Sequence, residues 1–189
     1  MAVAFLFYGS EAPERYVYAD IKGFYANIQH KWLMKHVPVC KEVLSEFLSA
    51  GHIFAEQLFP AKDSGISEGS PLSPMVSNFA LDGLQRAIYD GIHGRSYDID
   101  RKNGAMVRYA DDVIVAVRSE EDARAALWAI ENFLKPRGLV MSDEKTTTGT
   151  ARKGFDMVGF TIKKEKYGMV IRPMDSVIER FKADLGRQP

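Results

Sequence analysis

The chain has 189 residues, and its 25 basic and 25 acidic side chains give a formal net charge of +0. This length suits one compact domain with its own core, and the balanced charge excludes a protein that is strongly basic throughout. No apolar run is long enough to span a membrane, and the one cysteine, Cys40, excludes an internal disulfide, which is typical of a cytoplasmic protein.

The first half of the chain predicts one strand followed by helices. β-Branched and aromatic residues favour a strand over residues 15–20. Apolar spacing then predicts helices over residues 31–35 and 39–50. Prolines and glycines predict a loop over residues 59–71, and the apolar positions that follow predict one long helix over residues 74–90.

The second half predicts a hairpin, a helix and further strands. A polar connection over residues 91–104 leads to a hairpin over residues 105–118, and Ser119 then caps a helix that ends before Pro136. The remaining predicted elements are a short strand at 139–141, a hairpin of 155–163 with 169–172, and a helix over 175–185. This order predicts the α+β class, with a ferredoxin-like (split β-α-β) antiparallel sheet and helices on one face.

Two adjacent aspartates lie at the junction of the central hairpin. Asp111 and Asp112 stand between the apolar runs 106–110 and 113–117. Like charges side by side repel one another, and a divalent cation relieves the repulsion because carboxylate oxygens are preferred ligands of Mg²⁺. The pair therefore indicates a metal site at a sheet edge, although an Asp-Asp pair taken alone is more often part of a solvated turn.

A third carboxylate strengthens the metal hypothesis. Asp20 ends the first predicted strand, and the element order places that strand beside the central hairpin. Three carboxylates around two metal ions form the arrangement that is used for in-line phosphoryl transfer.

Four sequence blocks resemble the reverse transcriptases of the group II intron and retron-like kind. They are DIKGFY from Asp20, GISEGSPLSPMVSN from Gly65, the YADD hairpin from Tyr109, and GLVMSDEKT from Gly138 with GFDMVGF beyond it. Together they span roughly residues 15–172, and four blocks in this order are specific. The resemblance implies the palm of a right-hand polymerase with part of its fingers, acting as an RNA-directed DNA polymerase.

The resemblance also implies roles for matching residues. The implied catalytic residues are Asp20, Asp111, Asp112 and Lys145, and the implied metal-binding residues are Asp20, Ile21, Asp111 and Asp112. Two Mg²⁺ ions are expected, for which Mn²⁺ can substitute, with Asp112 the least direct ligand. Lys145 is expected to approach the leaving pyrophosphate as a general acid. The expected partners are an RNA template, a DNA or RNA primer, dNTPs and additional domains of a parent chain.

The resemblance places a second group of residues at the nucleotide. The expected substrate-binding residues are Phe24, Tyr25, Glu68, Gly69, Ser70 and Tyr109. The ring of Tyr25 is expected to exclude a ribose 2′-hydroxyl and so to favour DNA synthesis. Relatives usually carry glutamine where this chain has Glu68, and a carboxylate near a triphosphate predicts weaker nucleotide binding.

The resemblance also predicts the domain organisation. Residues 1–172 are expected to form the palm with partial fingers, with residues 31–70 as a fingers/palm insertion, and residues 173–189 to begin a truncated thumb. The element of origin is expected to be a bacterial mobile or defence-associated one.

Two other functions remain open from the sequence. Gly65, Ser67 and Gly69 match the G-x-S-x-G nucleophile elbow of hydrolases, but the residues before them do not read as the buried strand that this motif requires. A catalytically weak or silent RNA-binding, maturase-type fragment is the second alternative. A late basic cluster (Arg152, Lys153, Lys163, Lys164 and Lys166) would suit a phosphate backbone or simply a solvated face.

Overall fold

The computed structural model describes residues 2–54, 57–60, 62–67, 70–94 and 103–185. In chain order the elements are α1 (Ala2–Leu6), β1 (Arg15–Ala19), α2 (Phe24–Asn27), α3 (His30–His36), α4 (Lys41–Ser49), β2 (His52–Phe54), β3 (Gln57–Phe59), α5 (Ser73–Ala80), α6 (Leu84–His93), β4 (Met106–Tyr109), β5 (Asp112–Val117), α7 (Glu120–Leu134), β6 (Thr147–Thr150), β7 (Phe155–Met157), β8 (Phe160–Glu165), β9 (Gly168–Pro173) and α8 (Asp175–Leu185).

Four strands form the main sheet in the order β4-β5-β1-β6, and every neighbouring pair is antiparallel. Among these four strands the order in the chain is therefore second, third, first, fourth. This is the ferredoxin-like arrangement that the element order predicts. The predicted adjacency of the first strand and the central hairpin is confirmed, because β1 pairs directly with β5.

The two faces of the main sheet face two different clusters of apolar side chains. Val17, Ala19, Val113 and Val115 alternate onto one face and join the core formed with the helices. Tyr16, Ile114 and Ala116 lie on the other face, against α1 and the sheet of β7, β8 and β9. Strand β5 is therefore buried on both faces, and each fully buried side chain contributes about 1.5–3 kcal/mol.

The predicted start of α7 is confirmed in atomic detail. The Ser119 hydroxyl oxygen accepts from the Asp122 backbone N–H at 3.0 Å, and the Asp122 carboxylate accepts from the Ser119 N–H at 3.0 Å. This reciprocal capping box satisfies two N–H groups that a helix end otherwise leaves without partners.

The single long helix predicted over residues 74–90 is wrong. The chain forms α5 and α6 instead, separated by a turn at residues 81–83. Gly83 ends this turn in the left-handed region, at φ 84°. Val76 on α5 and Ile88 on α6 are buried in the same core, which explains why the apolar spacing runs through the break.

Two strand predictions need correction, and three strands (β2, β3 and β6) were not predicted. Residues 139–141 form only the single bridge Ile21–Met141, whereas β6 at Thr147–Thr150 was not predicted. The run over residues 155–163 is divided at Val158 and Gly159, which both have positive φ, so three strands form where two were predicted. The β2–β3 hairpin was also missed.

In the predicted connection of residues 91–104, α6 continues to His93, and residues 95–102 lie outside the described part.

None of the described helices is both long and apolar enough to cross a bilayer.

Candidate active site

The strand register brings the three predicted aspartates to one end of the main sheet. Ala19 is paired with Val113 at the end of the β1–β5 ladder, so Asp20 and Asp112 come next on neighbouring strands. Asp112 is the first residue of β5, and Asp111 precedes it in the turn of the β4–β5 hairpin. Asp20 is buried, with 6% of its surface exposed. Residues about 90 positions apart in the chain therefore meet at one point.

A side-chain hydrogen bond of Tyr18 joins β1 to the first residue of β5. Tyr18 precedes Asp20 by two positions on β1, and its hydroxyl donates to the Oδ1 oxygen of Asp112. Burial raises the pKa of Tyr18 above its ordinary range, and so do the hydrogen bond to Asp112 and the negative charges of Asp112, Asp20 and Asp111. The phenol is therefore neutral at physiological pH and acts as a donor to Asp112. Tyr18 was not predicted as a site residue, although the strand alternation places it on the same face as Asp20.

The carboxyl of Asp111 has a raised pKa. Burial is the largest cause that raises the pKa of its carboxyl, and the carboxylates of Asp112 and Asp20 raise it further. A hydrogen bond from backbone N–H to this carboxylate, and to a smaller extent the ammonium of Lys145, partly offset this effect. Folding thus holds a carboxylate in a place that disfavours its charge, which is typical of functional sites.

Lys145 lies beside Asp20. Its ammonium donates to Asp20 Oδ1 at 3.2 Å, and its side chain is 66% exposed. The segment before it is fixed against the strand end, because the Ser142 N–H donates to the Asp20 carbonyl at 2.8 Å. An exposed ammonium therefore contacts the acidic cluster from another segment of the chain.

Of the residues predicted at the nucleotide, Tyr25 and Tyr109 are at least partly exposed, whereas Phe24 is buried. Tyr25 is half-buried, and its carbonyl accepts from the Ile66 N–H at 2.7 Å, which holds the 64–66 segment against α2. Tyr109 is 63% exposed at the end of β4. Phe24 is only 2% exposed within the core and meets the Tyr25 ring edge-on at 5.2 Å, so its side chain supports Tyr25 and does not face a substrate.

The loop before α5 is described in part. Ser70 lies just before α5, where its carbonyl accepts from the Ser73 N–H at 3.1 Å. Glu68 and Gly69, which were also predicted to contact the nucleotide, lie outside the described residues. Ser67 lies in an irregular segment six residues before α5 and not at a strand-to-helix turn, so the local structure does not match a nucleophile elbow.

The chemistry of the acidic cluster suits the divalent metal that the sequence predicts. Carboxylate oxygens are suitable ligands for Mg²⁺, and the raised pKa of Asp111 shows negative charge that a cation would stabilise. Within the described part of the chain, however, no three His, Cys, Asp or Glu side chains are arranged to hold a metal as they stand. Lys145 bonds to Oδ1 of Asp20 and Tyr18 bonds to Oδ1 of Asp112, so each of these carboxylates already has one oxygen engaged by a side chain.

One family model and several known proteins match this chain. Residues 10–162 match the family model described as reverse transcriptase (RNA-dependent DNA polymerase). The putative COX1/OXI3 intron 2 protein of Saccharomyces cerevisiae is 24% identical over 68% of this chain, and protein YkfC of Escherichia coli is 26% identical over 79%. The Pol polyprotein from the type-1 retrotransposable element R2 of Nasonia vitripennis is 33% identical over 44%.

One solved structure supports the fold. Apo telomerase from Candida tropicalis, truncated from its C-terminal domain, superposes with a TM-score of 0.63 at 15% identity over 86% of this chain and 36% of that one. The chain spans 21%, 8% and 47% of the lengths of the yeast, Nasonia and Escherichia coli relatives, respectively.

Proposed function

Since this chain belongs to the reverse transcriptase (RNA-dependent DNA polymerase) family, we propose that it adds dNTPs to the 3′-hydroxyl of a primer on an RNA template. The observation that carries the proposal is the meeting of Asp20, Asp111 and Asp112 at one end of the main sheet. In this reaction the primer oxygen bonds to the α-phosphorus, the bond to pyrophosphate breaks, and the hydroxyl proton leaves.

The residues that would hold the divalent ions are the three aspartates, with the backbone carbonyl of Ile21 beside them. Ile21 has no ligand atom in its side chain, which is 1% exposed in the core. Two bound Mg²⁺ ions, or Mn²⁺ in their place, would lower the pKa of the attacking hydroxyl and neutralise the leaving pyrophosphate.

Two side chains of the protein, Lys145 and Tyr18, would assist this chemistry. We assign Lys145 as the proton donor to pyrophosphate, because it is the exposed ammonium next to Asp20. Tyr18 restrains one oxygen of Asp112 through its hydrogen bond. That bond suits the expected role of Asp112 as the least direct metal ligand.

Tyr25 is proposed to select the sugar. Its ring packs edge-on against Phe24. Its backbone carbonyl accepts a hydrogen bond from the Ile66 N–H, in the segment that leads towards Ser70. A rigid ring beside the ribose would clash with a 2′-hydroxyl and admit a deoxyribose.

The domain assignment is likewise a proposal. Residues 1–172 would form the palm with partial fingers, the 31–70 segment would belong to the fingers/palm insertion, and α8 would begin the thumb. The chain spans less than half the length of each of these relatives, which supports a role within a larger protein. A bacterial mobile or defence-associated element as the source, and action in the cytoplasm, are further parts of the proposal.

Primer extension on a defined RNA template tests the proposal. The 189-residue protein should extend a DNA primer with dNTPs when Mg²⁺ or Mn²⁺ is present, and Asp111→Asn should abolish extension. A protein that binds the template–primer duplex but never extends it, with either ion, would instead favour the catalytically silent RNA-binding fragment.

A further inference from the structure

Arg108 joins the aspartate-bearing turn to a helix. It is the third residue of β4, and its Nη1 atom donates to Asn78 Oδ1 on α5 at 3.1 Å and to the Ala110 carbonyl at 3.0 Å. Met106, two positions earlier, packs against the helical core, so Arg108 lies on the same side of the sheet. One guanidinium nitrogen thereby contacts both α5 and the residue before Asp111.

The turn that Arg108 contacts has a strained backbone. Ala110 has φ 52°, and among the described residues only Val158 is another non-glycine residue with positive φ. Left-handed backbone is unfavourable for alanine, and such a residue keeps its conformation only where its surroundings fix it. The hydrogen bond to the Ala110 carbonyl orients the peptide that leads into Asp111, and it therefore helps to set where the Asp111 carboxylate lies.

The other end of the contact leads to the predicted nucleotide segment. Ser70 is bonded to the first turn of α5 through the Ser73 N–H, and the Ser73 hydroxyl in turn donates to the Ser67 carbonyl. Asn78 follows Ser73 by five positions, about 7.5 Å along the helix axis. Because a short helix moves as a rigid body, a shift of the segment before α5 displaces Asn78 as well.

We infer that Arg108 is a positioning residue that fixes the segment before α5 relative to the turn bearing Asp111. The inference rests on the proposed function, because that segment is proposed to contact the nucleotide and Asp111 to act on it. Arginine suits the position because its planar guanidinium is rigid and carries several N–H donors. Nη1 carries two N–H groups that are fixed in the guanidinium plane, whereas the N–H groups of a lysine ammonium rotate freely on a flexible stem.

Kinetics of single variants test the role. Arg108→Met keeps an unbranched stem but removes both hydrogen bonds, and should lower kcat about 10- to 100-fold while KM for dNTP changes less than about 3-fold. Asn78→Ala removes one of the two bonds and should have a smaller effect. The double variant should resemble Arg108→Met alone, because the contact between the two side chains is already lost. Arg86→Met, on the exposed face of α6, is the matched control and should behave like the wild type.

A second measurement does not depend on activity. Amide hydrogen exchange at residues 110–112 reports the stability of the turn in the metal-free protein. Arg108→Met should accelerate this exchange about 10-fold, Asn78→Ala should accelerate it less, and Arg86→Met should leave it unchanged.

The two measurements separate the inference from the proposed function. If the wild type extends no primer, the proposed function fails, and the exchange data alone decide whether Arg108 positions the turn. Faster exchange in Arg108→Met supports the inference. Unchanged exchange overturns it, and so do multiplicative kinetic effects of Arg108→Met and Asn78→Ala in an active enzyme.

Discussion

Replacing Asp111 by asparagine should stabilise the metal-free protein. The amide is nearly isosteric with the carboxylate but carries no charge, and the charge is disfavoured here by burial and by the carboxylates of Asp112 and Asp20. The wild type holds these like charges together for a purpose other than its own stability. The substitution should therefore abolish activity while it raises the stability of the fold, a trade-off that is common at active sites.

The size of the effect follows from the burial of the carboxylate, which is the largest cause, and from the two neighbouring carboxylates. A like-charge pair at close range destabilises by about 0.2–1 kcal/mol, and Lys145 offsets part of the repulsion at Asp111. A gain of about 1 kcal/mol is therefore expected, which for a domain of this size raises the melting temperature by about 2–4 °C. Thermal unfolding at pH 7 in EDTA, followed by circular dichroism, measures it.

Two comparisons make this prediction specific. Asp82→Asn removes an exposed carboxylate from the turn between α5 and α6, and should leave the melting temperature within about 1 °C of the wild type. Asp20→Asn should gain less than Asp111→Asn, because it loses the 3.2 Å ion pair with Lys145. If Asp111→Asn melts at or below the wild-type temperature, the charge repulsion is not as inferred.

Three further substitutions test other parts of the account. Arg137→Met should lower the free energy of unfolding by about 2 kcal/mol, measured by urea denaturation, because the Ala80 and Phe133 carbonyls lose their guanidinium donors at 2.6 and 2.5 Å; an unchanged midpoint would count against this role. Burial raises the pKa of Tyr16 above its ordinary value of 10.0, so the stability from its neutral phenol is complete below that pH and is lost as the pH rises further. Tyr16→Phe should therefore flatten the alkaline fall of the melting temperature, and parallel curves for the two proteins would refute the assignment. Tyr25→Val should raise ribonucleotide incorporation about 10-fold or more relative to dNTPs in primer extension, whereas unchanged sugar selectivity would remove Tyr25 from the nucleotide site.

The sequence was a good guide where a pattern repeats locally. Runs rich in β-branched and aromatic residues identified β1 and the β4–β5 hairpin, and the Ser119 signature identified the start of α7. Element order then sufficed to predict that Asp20 lies beside the hairpin, because a ferredoxin-like sheet leaves few alternatives. Whether the predicted site residues act as assigned remains a prediction.

The sequence was a poor guide where a structure lacks such a pattern. Strand β6 reads Thr-Thr-Gly-Thr and lies at the edge of the main sheet, so it has no apolar alternation to reveal it. The break at Gly83 depends on a single backbone conformation. The contacts Tyr18–Asp112 and Arg108–Asn78 join residues 94 and 30 positions apart, and no local spacing predicts them.

The central claim is that Asp20, Asp111 and Asp112 bind divalent metal together. Titration with Mn²⁺, followed by the loss of the electron paramagnetic resonance signal of the free ion, tests it without requiring turnover. The wild type and Asp82→Asn should show saturable binding, and Asp20→Ala and Asp111→Ala should each abolish it. Binding that survives Asp20→Ala, or a wild type that takes up no Mn²⁺, would contradict the claim.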